Sequence, residues 1–207
     1  MKYYPVFLNL KNKKTVVIGG GTVAERKTRT LAKAGASVKI VSPSLTHNLG
    51  ILSRRGKFTH IKRSYQKKDT KEAFLVIAAT SSHRTNTIIA RNAEFLVNVV
   101  DTPSEGNFIA PSIVRRGRLT IAISTEGASP AISKAIRKEI EQLYGRDFAL
   151  YLRFAESVRR KAMNKITDLG KRERFLKSLA SERIFKALRN KGFRAVSETV
   201  SASLDKF

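Results

Sequence analysis

Short apolar runs alternate with helical segments along the first half of the chain. Residues 15–18 form the first run, and a glycine turn and a segment with helical spacing follow it as far as Gly35. A second run, residues 38–41, is closed by Ser42 and Pro43. These pieces predict a strand, a helix and a second strand within about 27 residues, the usual size of one βαβ unit.

The same rhythm continues to about residue 100. Further strands are predicted at residues 58–61, 75–79 and 96–100, with a helix at residues 85–93 between the last two. Alternating strands and helices predict an α/β fold with a Rossmann-type parallel sheet. Ligands bind such sheets beyond the carboxyl ends of the strands, so residues at those ends are candidates for a site.

A different pattern follows residue 100. An apolar strand is predicted at residues 119–124, and Ser129 and Pro130 have the residue types of a helix cap and a first helical position. Isoleucines then recur at spacing four, at positions 132, 136 and 140. This pattern predicts a small α+β region.

The chain from residue 146 onward reads as helical. We expect its inner faces to carry Phe148, Leu152, Ala155, Phe175, Leu179, Ile184 and Leu188. The predicted organisation is therefore a Rossmann-type domain at residues 1–113, a small α+β region at 114–145 and a helical C-terminal domain at 146–207.

Composition removes several classes of function. Without cysteine there is no disulfide framework, thiolate metal site, zinc finger or cysteine nucleophile. No apolar run approaches the roughly 20 residues that span a bilayer, and the first ten residues lack a signal-peptide pattern. We therefore expect a cytoplasmic protein without a membrane partner.

Net charge points to an acidic partner. The formal charge is +25, which is typical of proteins that bind nucleic acid, a membrane surface or acidic small molecules. Residues 1–144 carry +16 and residues 145–207 carry +9, so the charge is spread over the whole surface. A non-enzymatic nucleotide-sensing or nucleic-acid-binding protein is thus an alternative. However, the sequence has no recognition-helix pattern, aromatic stacking motif or basic arm, and we expect no nucleic-acid partner.

The glycine turn fits a dinucleotide-binding fingerprint. Gly19, Gly21 and Ala24 match the pattern G-x-G-x-x-G/A between a strand and a helix. The weaker interpretation is an ordinary glycine-rich turn. No Asp or Glu lies between Glu25 and Asp69, so the second strand ends without the carboxylate that often binds ribose hydroxyls. Ser42 or Ser44 could bond them instead, which leaves NAD and NADP both open.

Polar residues also follow two later strands. The hydroxyl of Thr80 could contact a cofactor, although capping of the next helix is an equal explanation for residues 80–82. Asp101 follows the apolar residues 96–100, so it is a candidate general acid or base at a strand end. The alternative is a turn-forming Asp before Pro103.

Other polar groups allow two interpretations each. Arg115, Arg116 and Arg118 form a basic cluster that is either a solvated face or a carboxylate-binding site. Residues 124–130 could form an anion nest or only a capped helix start. The three histidines, His47, His60 and His83, lack ligand spacing, and we expect surface roles and no metal site.

Several of these blocks together resemble the precorrin-2 dehydrogenase family, which includes the amino-terminal module of siroheme synthases. The resemblance extends from residue 4 to about residue 142. It is carried by residues 4–8, 19–27, 78–80, 98–101, 108–111 and 123–130. The methyltransferase domain of the fused enzymes has no counterpart in this sequence, so methyl transfer is not expected.

The resemblance implies NAD-dependent oxidation of precorrin-2 to sirohydrochlorin and, in some members, insertion of ferrous iron as a second substrate. It also implies a homodimer joined through the region after about residue 113, which makes 114–145 a dimerisation region. Thr22, Val23, Pro43 and Ser44 would contact NAD, and Asp101 would be the catalytic carboxylate.

The tetrapyrrole substrate carries several carboxylates, so a basic cleft would attract and hold it. The candidate substrate-binding residues are Arg115, Arg116, Arg118, Ser124, Thr125 and Ser129. Thr125 occupies the position where some family members carry a serine that is phosphorylated.

Overall fold

The computed structural model describes residues 3–207 and divides into two compact units, the first ending at Ala110 and the second spanning Pro111–Phe207. The first unit contains a parallel sheet in the order β3-β2-β1-β4-β5. Its strands are β1 (Lys14–Ile18), β2 (Ser37–Val41), β3 (Thr59–Ile61), β4 (Leu75–Ala78) and β5 (Leu96–Val99). The predicted α/β fold with a Rossmann-type sheet is therefore confirmed.

Helices cover both faces of this sheet. They are α1 (Thr22–Lys33), α2 (His47–Arg54) and α3 (His83–Asn92). Alternate residues of the central strands belong to different clusters: Val17 packs with Leu31 of α1 and Leu49 of α2, whereas Ile18 packs with Ile89 of α3. Burial on both faces explains why β1 and β4 are almost uninterrupted apolar runs. The sequence analysis missed α2, because its segment lacks a strong apolar repeat.

The second unit begins with an antiparallel hairpin and continues in helices. The hairpin pairs β6 (Ser112–Arg116) with β7 (Leu119–Ile123) around Gly117. The helices are α4 (Pro130–Leu143), α5 (Arg146–Lys165), α6 (Leu169–Ser178) and α7 (Glu182–Leu204). The helical C-terminal region is confirmed. Strand β6 was not predicted, and the predicted boundary at residue 113 falls inside it.

The helices α5, α6 and α7 share one apolar core. Phe148, Phe175, Leu179 and Leu188 are buried there as predicted. The prediction for Leu152 was wrong, because its side chain is 36% exposed. Tyr151 takes the inner position: its hydroxyl donates a hydrogen bond to the Leu179 carbonyl at 2.7 Å, and burial raises its pKa to about 12.

None of the helices within residues 3–207 combines the length and the apolar character needed to cross a membrane.

Candidate active site

The turn after β1 fits only glycine at its first two positions. Gly19 has φ +122°, and a Cβ built there would lie 2.2 Å from the Ala79 carbonyl oxygen. A Cβ on Gly20 would lie 1.9 Å from the Ser44 carbonyl oxygen. The turn therefore passes between the backbones that follow β4 and β2, and this brings three strand ends together.

Gly21 has a different environment. It is the N-cap of α1, without a side-chain cap, and a Cβ built on it would have no atom within 4 Å. The first N–H groups of α1 thus face open space beside a residue without a side chain. A helix start of this kind accepts a phosphate, because its N–H groups and dipole attract negative charge. These residues fit the pyrophosphate of a dinucleotide.

A cleft of about 650 Å³ opens at these strand ends. It lies where the strand order reverses between β1 and β4, the usual ligand position in doubly wound sheets. The predicted residues that line it are Gly19, Gly21, Ser42, Pro43, Ser44 and Thr80. Thr22 and Val23 begin α1 beside it. Ala24 is fully buried, so it contributes by letting α1 approach the sheet.

The loop after β2 is held by its own hydrogen bonds. Ser42 is buried, and its hydroxyl donates to the Ser44 carbonyl at 2.7 Å. Ser44 is exposed and is among the residues that line the cleft. Of the two serines considered for ribose binding, Ser44 therefore has the accessible hydroxyl.

Thr46, which the sequence analysis missed, connects this loop to α1. Its hydroxyl caps α2 by accepting from Leu49 N–H at 3.2 Å, and it donates to Glu25 Oε2 at 2.6 Å. This hydrogen bond, together with Arg29, holds the pKa of the Glu25 carboxyl below its ordinary value. The carboxylate at the start of α1 is thus engaged within the protein and directed to α2.

The loop after β4 is also internally bonded. Ser82 is the N-cap of α3, accepting from Thr85 N–H at 3.2 Å, so the capping interpretation of residues 80–82 is confirmed for this residue. The Thr80 hydroxyl lies 2.8 Å from Asn86 Oδ1. Thr80 lines the cleft, but its hydroxyl is occupied by α3.

Asp101 lies just beyond the carboxyl end of β5. Its Oδ1 accepts a hydrogen bond from Asn86 Nδ2 at 3.1 Å, and its Oδ2 is 3.5 Å from His83 Nδ1. The side chain is 42% exposed. Among the described residues, its carboxylate accepts no backbone hydrogen bond from the turn at Pro103–Glu105, which disfavours the turn-forming interpretation.

Asn86 and Tyr65 are further site residues that sequence reasoning missed. Asn86 joins Thr80 to Asp101, and Tyr65 lines the cleft from the loop after β3. An Asn one turn inside a helix carries no recognisable motif, because its importance depends on strands distant in sequence.

The three arginines predicted to bind substrate do not point in one direction in the second unit. Arg115 is exposed on the hairpin face opposite Val114, whereas Arg116 lies on the Val114 face. Arg118 is paired with Glu156 of α5 at 2.9 Å. Arg115 and Arg116 therefore lie on opposite faces of the hairpin, and Arg118 is held by α5.

Residues 124–130 form a capped helix start. The Ser124 hydroxyl accepts from Glu126 N–H, and Thr125 Oγ1 contacts both the N–H and the carbonyl of Ser129. The Ser129 hydroxyl in turn caps α4 by accepting from Ile132 N–H at 3.2 Å. These hydroxyls are therefore engaged by their own loop.

The histidines occupy unrelated surroundings. His47 is exposed, His60 Nε2 is 2.9 Å from the Ser42 carbonyl, and His83 lies beside Asp101. Across residues 3–207, no cluster of three or more His, Asp or Glu side chains is arranged to hold a metal ion.

Two family models match the chain. The model described as putative NAD(P)-binding matches residues 6–112, which is half of the chain. The model described as sirohaem biosynthesis protein central matches residues 116–143.

Two individual proteins that are similar to the chain are siroheme synthases. The chain is 37% identical to the siroheme synthase of Nitrosococcus oceani over 192 residues, covering 89% of this chain and 41% of that protein. It is 32% identical to the siroheme synthase of Mannheimia succiniciproducens over 209 residues, covering 100% of this chain and 44% of that protein. The chain therefore spans less than half the length of these relatives.

A solved structure described as SirC, precorrin-2 dehydrogenase, is similar over 99% of this chain and 100% of its own, with a TM-score of 0.83. At 24% sequence identity this likeness shows the shared fold.

Proposed function

The chain belongs to the putative NAD(P)-binding family, and we propose that it is an NAD-dependent dehydrogenase that oxidises precorrin-2 to sirohydrochlorin in siroheme biosynthesis. Two comparisons support this proposal. Its relatives are siroheme synthases, and a protein of the same fold is described as a precorrin-2 dehydrogenase.

The observation that carries the proposal is the position of Asp101. It is an exposed carboxylate at a strand end, connected through Asn86 to Thr80, which lines the cleft. Oxidation of precorrin-2 removes one hydride and one proton from the macrocycle. Bound NAD would accept the hydride. Asp101 accepts the proton, which is released after each turnover, so that atoms and electrons balance.

Cofactor binding is assigned to the cleft beside the glycine turn. The open start of α1 at Gly21 would hold the pyrophosphate, and the exposed residue Ser44 would offer its hydroxyl to a ribose. The residues that directly follow β2 are Ser42, Pro43 and Ser44, with no Asp or Glu to repel a 2′-phosphate. The family description covers NAD and NADP alike, so the proposal of NAD rests on the resemblance to precorrin-2 dehydrogenases and not on an acidic residue.

Substrate capture is assigned to the basic surface. A tetrapyrrole with several carboxylates is attracted by a protein of net charge +25, and steering of this kind raises association rates by roughly 10 to 1000-fold at low salt. Arg115, which is exposed and without an acidic partner among the described side chains, is the strongest candidate ligand of the three hairpin arginines.

The proposed assembly is a homodimer. Ile132 and Ile136 form an apolar stripe on α4 and are 56% and 37% exposed, and Ile113 of β6 is 42% exposed. Isoleucines exposed in a row are typical of a surface that another subunit covers.

The test is an anaerobic assay with enzymatically prepared precorrin-2. We expect conversion to sirohydrochlorin with stoichiometric formation of NADH, and no conversion when NAD is omitted. Addition of ferrous iron afterwards scores ferrochelation in the same cuvette. Binding of NAD without any oxidation of precorrin-2 would refute the proposed reaction.

The charge also favours the alternative, a non-enzymatic nucleic-acid-binding protein. This alternative is tested by measuring the affinity of the protein for a 20-base duplex at physiological salt. Tight duplex binding in a protein that leaves precorrin-2 unchanged would support that alternative.

A further inference from the structure

Asn86 is a buried amide whose hydrogen-bonding groups are all used. It is 1% exposed, and its Oδ1 accepts from Thr80 N–H at 3.1 Å and from Thr80 Oγ1 at 2.8 Å. Its Nδ2 donates to the Thr80 carbonyl at 3.2 Å and to Asp101 Oδ1 at 3.1 Å. A backbone N–H can only donate, so the amide oxygen must face Thr80 and the NH₂ group must face Asp101.

The two oxygens of Asp101 therefore differ. Oδ1 is held by a rigid, buried donor, whereas Oδ2 faces the exposed ring of His83 and the solvent. An exposed aspartate would otherwise rotate among several side-chain conformers. The bond from Asn86 restricts that freedom and leaves Oδ2 as the available proton acceptor.

We propose that Asn86 is a positioning residue for Asp101, fixing Oδ1 so that Oδ2 accepts the proton of the dehydrogenation. The inference deepens the proposed function and rests on it. Because Asn86 also holds Thr80 in the cleft, the proton acceptor and the cofactor site share one rigid contact. A displacement of about 1 Å in a reacting group lowers rates by as much as roughly 100-fold.

Among the described residues, few charged or titratable groups lie near Asp101. His83 at the start of α3 faces Oδ2, and Glu105, the last residue of the turn at Pro103–Glu105, is 3.6 Å from His83 Nε2. A carboxylate at position 86 would add a negative charge on the opposite side.

The variant Asn86→Asp removes both donor bonds of Asn86, to Asp101 Oδ1 and to the Thr80 carbonyl. It keeps the size of the side chain and both acceptor contacts with Thr80, but it removes the NH₂ group and places a second carboxylate beside Asp101. We expect kcat to fall at least about 10-fold at pH 7. The acid limb of the pH–rate profile should move to higher pH, because two adjacent carboxylates resist simultaneous ionisation. Turnover should be measured at saturating NAD, so that any change in NAD affinity caused through Thr80 does not enter kcat.

Asn164→Asp is the control for the same chemical change outside the cleft. Asn164 is an exposed residue of α5, so turnover of this variant should remain within about three-fold of the parent protein. Asn86→Ala, which adds no charge, serves if Asn86→Asp does not fold.

A double-mutant cycle separates positioning from general damage. If Asn86 acts through Asp101, its substitution should lower turnover strongly in the parent protein but by less than about three-fold when Asp101 is already Asn. Equal losses in both backgrounds, or a loss explained by weaker NAD binding, would overturn the inference. If the parent protein binds NAD and does not oxidise precorrin-2, the proposed function itself fails, and the inference fails with it.

Discussion

Adjacent glycines in the turn after β1 differ in what a side chain would encounter. Gly20 contacts the backbone of the β2 loop, where a Cβ would lie 1.9 Å from the Ser44 carbonyl oxygen. Gly21 borders open space. The same substitution should therefore damage the fold at one position and the cofactor site at the next.

Gly21→Asp is expected to abolish NAD binding while the protein stays folded. The new side chain meets no protein atom within 4 Å, but it places bulk and negative charge at the helix start that receives the pyrophosphate. Calorimetry should show at least about a 100-fold weaker NAD affinity, which corresponds to about 2.8 kcal/mol of binding free energy. Unchanged binding would show that the pyrophosphate lies elsewhere.

Gly20→Ala is the complementary change. Its added methyl group collides with backbone, which has little freedom to move, and overpacking of this kind costs roughly 1–3 kcal/mol. Chemical denaturation should show that loss in the free energy of unfolding. A stability equal to that of the parent protein would mean that the β2 loop moves freely.

Two residues, Asp101 and Asn86, show the limits of sequence reasoning at the residue scale. Asp101 could be predicted because it directly follows an apolar strand. Asn86 could not, because its role depends on the meeting of α3 with the ends of β4 and β5, which no local pattern encodes.

At the level of elements, the loop between β3 and β4 is fixed by a nearly buried ion pair. Arg63 contacts both oxygens of Asp69, whose side chain is 4% exposed, and Asp69 also accepts from Gln66 N–H at 2.8 Å. These contacts hold the segment that presents Tyr65 to the cleft. The hydrogen bond from Arg63 is the main reason that the pKa of Asp69 lies below its ordinary value of 3.8.

The pair predicts a pH-dependent stability. Because the folded-state pKa of Asp69 is lowered, its contribution is complete above about pH 5 and is lost as pH falls below 3.8 toward the folded value. Asp69→Asn should therefore be less stable than the parent protein at pH 6, and the difference should shrink at pH 3. Urea denaturation at both values measures it. A constant difference would assign the effect to something other than this ionisation.

The helices and strands that could be predicted are those whose sequence has a clear hydrophobic pattern. The buried strands β1, β2 and β4 and the proline-started helix α4 have strong local signals. Helix α2 has one buried residue, Leu49, and β6 combines two arginines with a single buried residue, Val114, so neither shows a clear period.

At the scale of the whole molecule, the exposed stripe on α4 predicts association. Sedimentation should give about twice the 23.1 kDa chain mass at micromolar concentration. Ile132→Glu places a charge in that stripe and should shift the protein toward monomer without unfolding it, because Ile132 is already 56% exposed. A parent protein that is monomeric at this concentration would contradict the homodimer.

The central claim is that Asp101 accepts a proton during NAD-dependent oxidation of precorrin-2, and Asp101→Asn tests it most directly. Asn has nearly the same shape and can keep a contact with Asn86, but it cannot act as a base. A positioned general base contributes about 100 to 10,000-fold. Dehydrogenase turnover at saturating NAD and precorrin-2 should therefore fall at least about 100-fold, while NAD affinity and thermal stability stay close to those of the parent protein. Turnover within about three-fold of the parent, in a folded protein, would show that Asp101 is not the base.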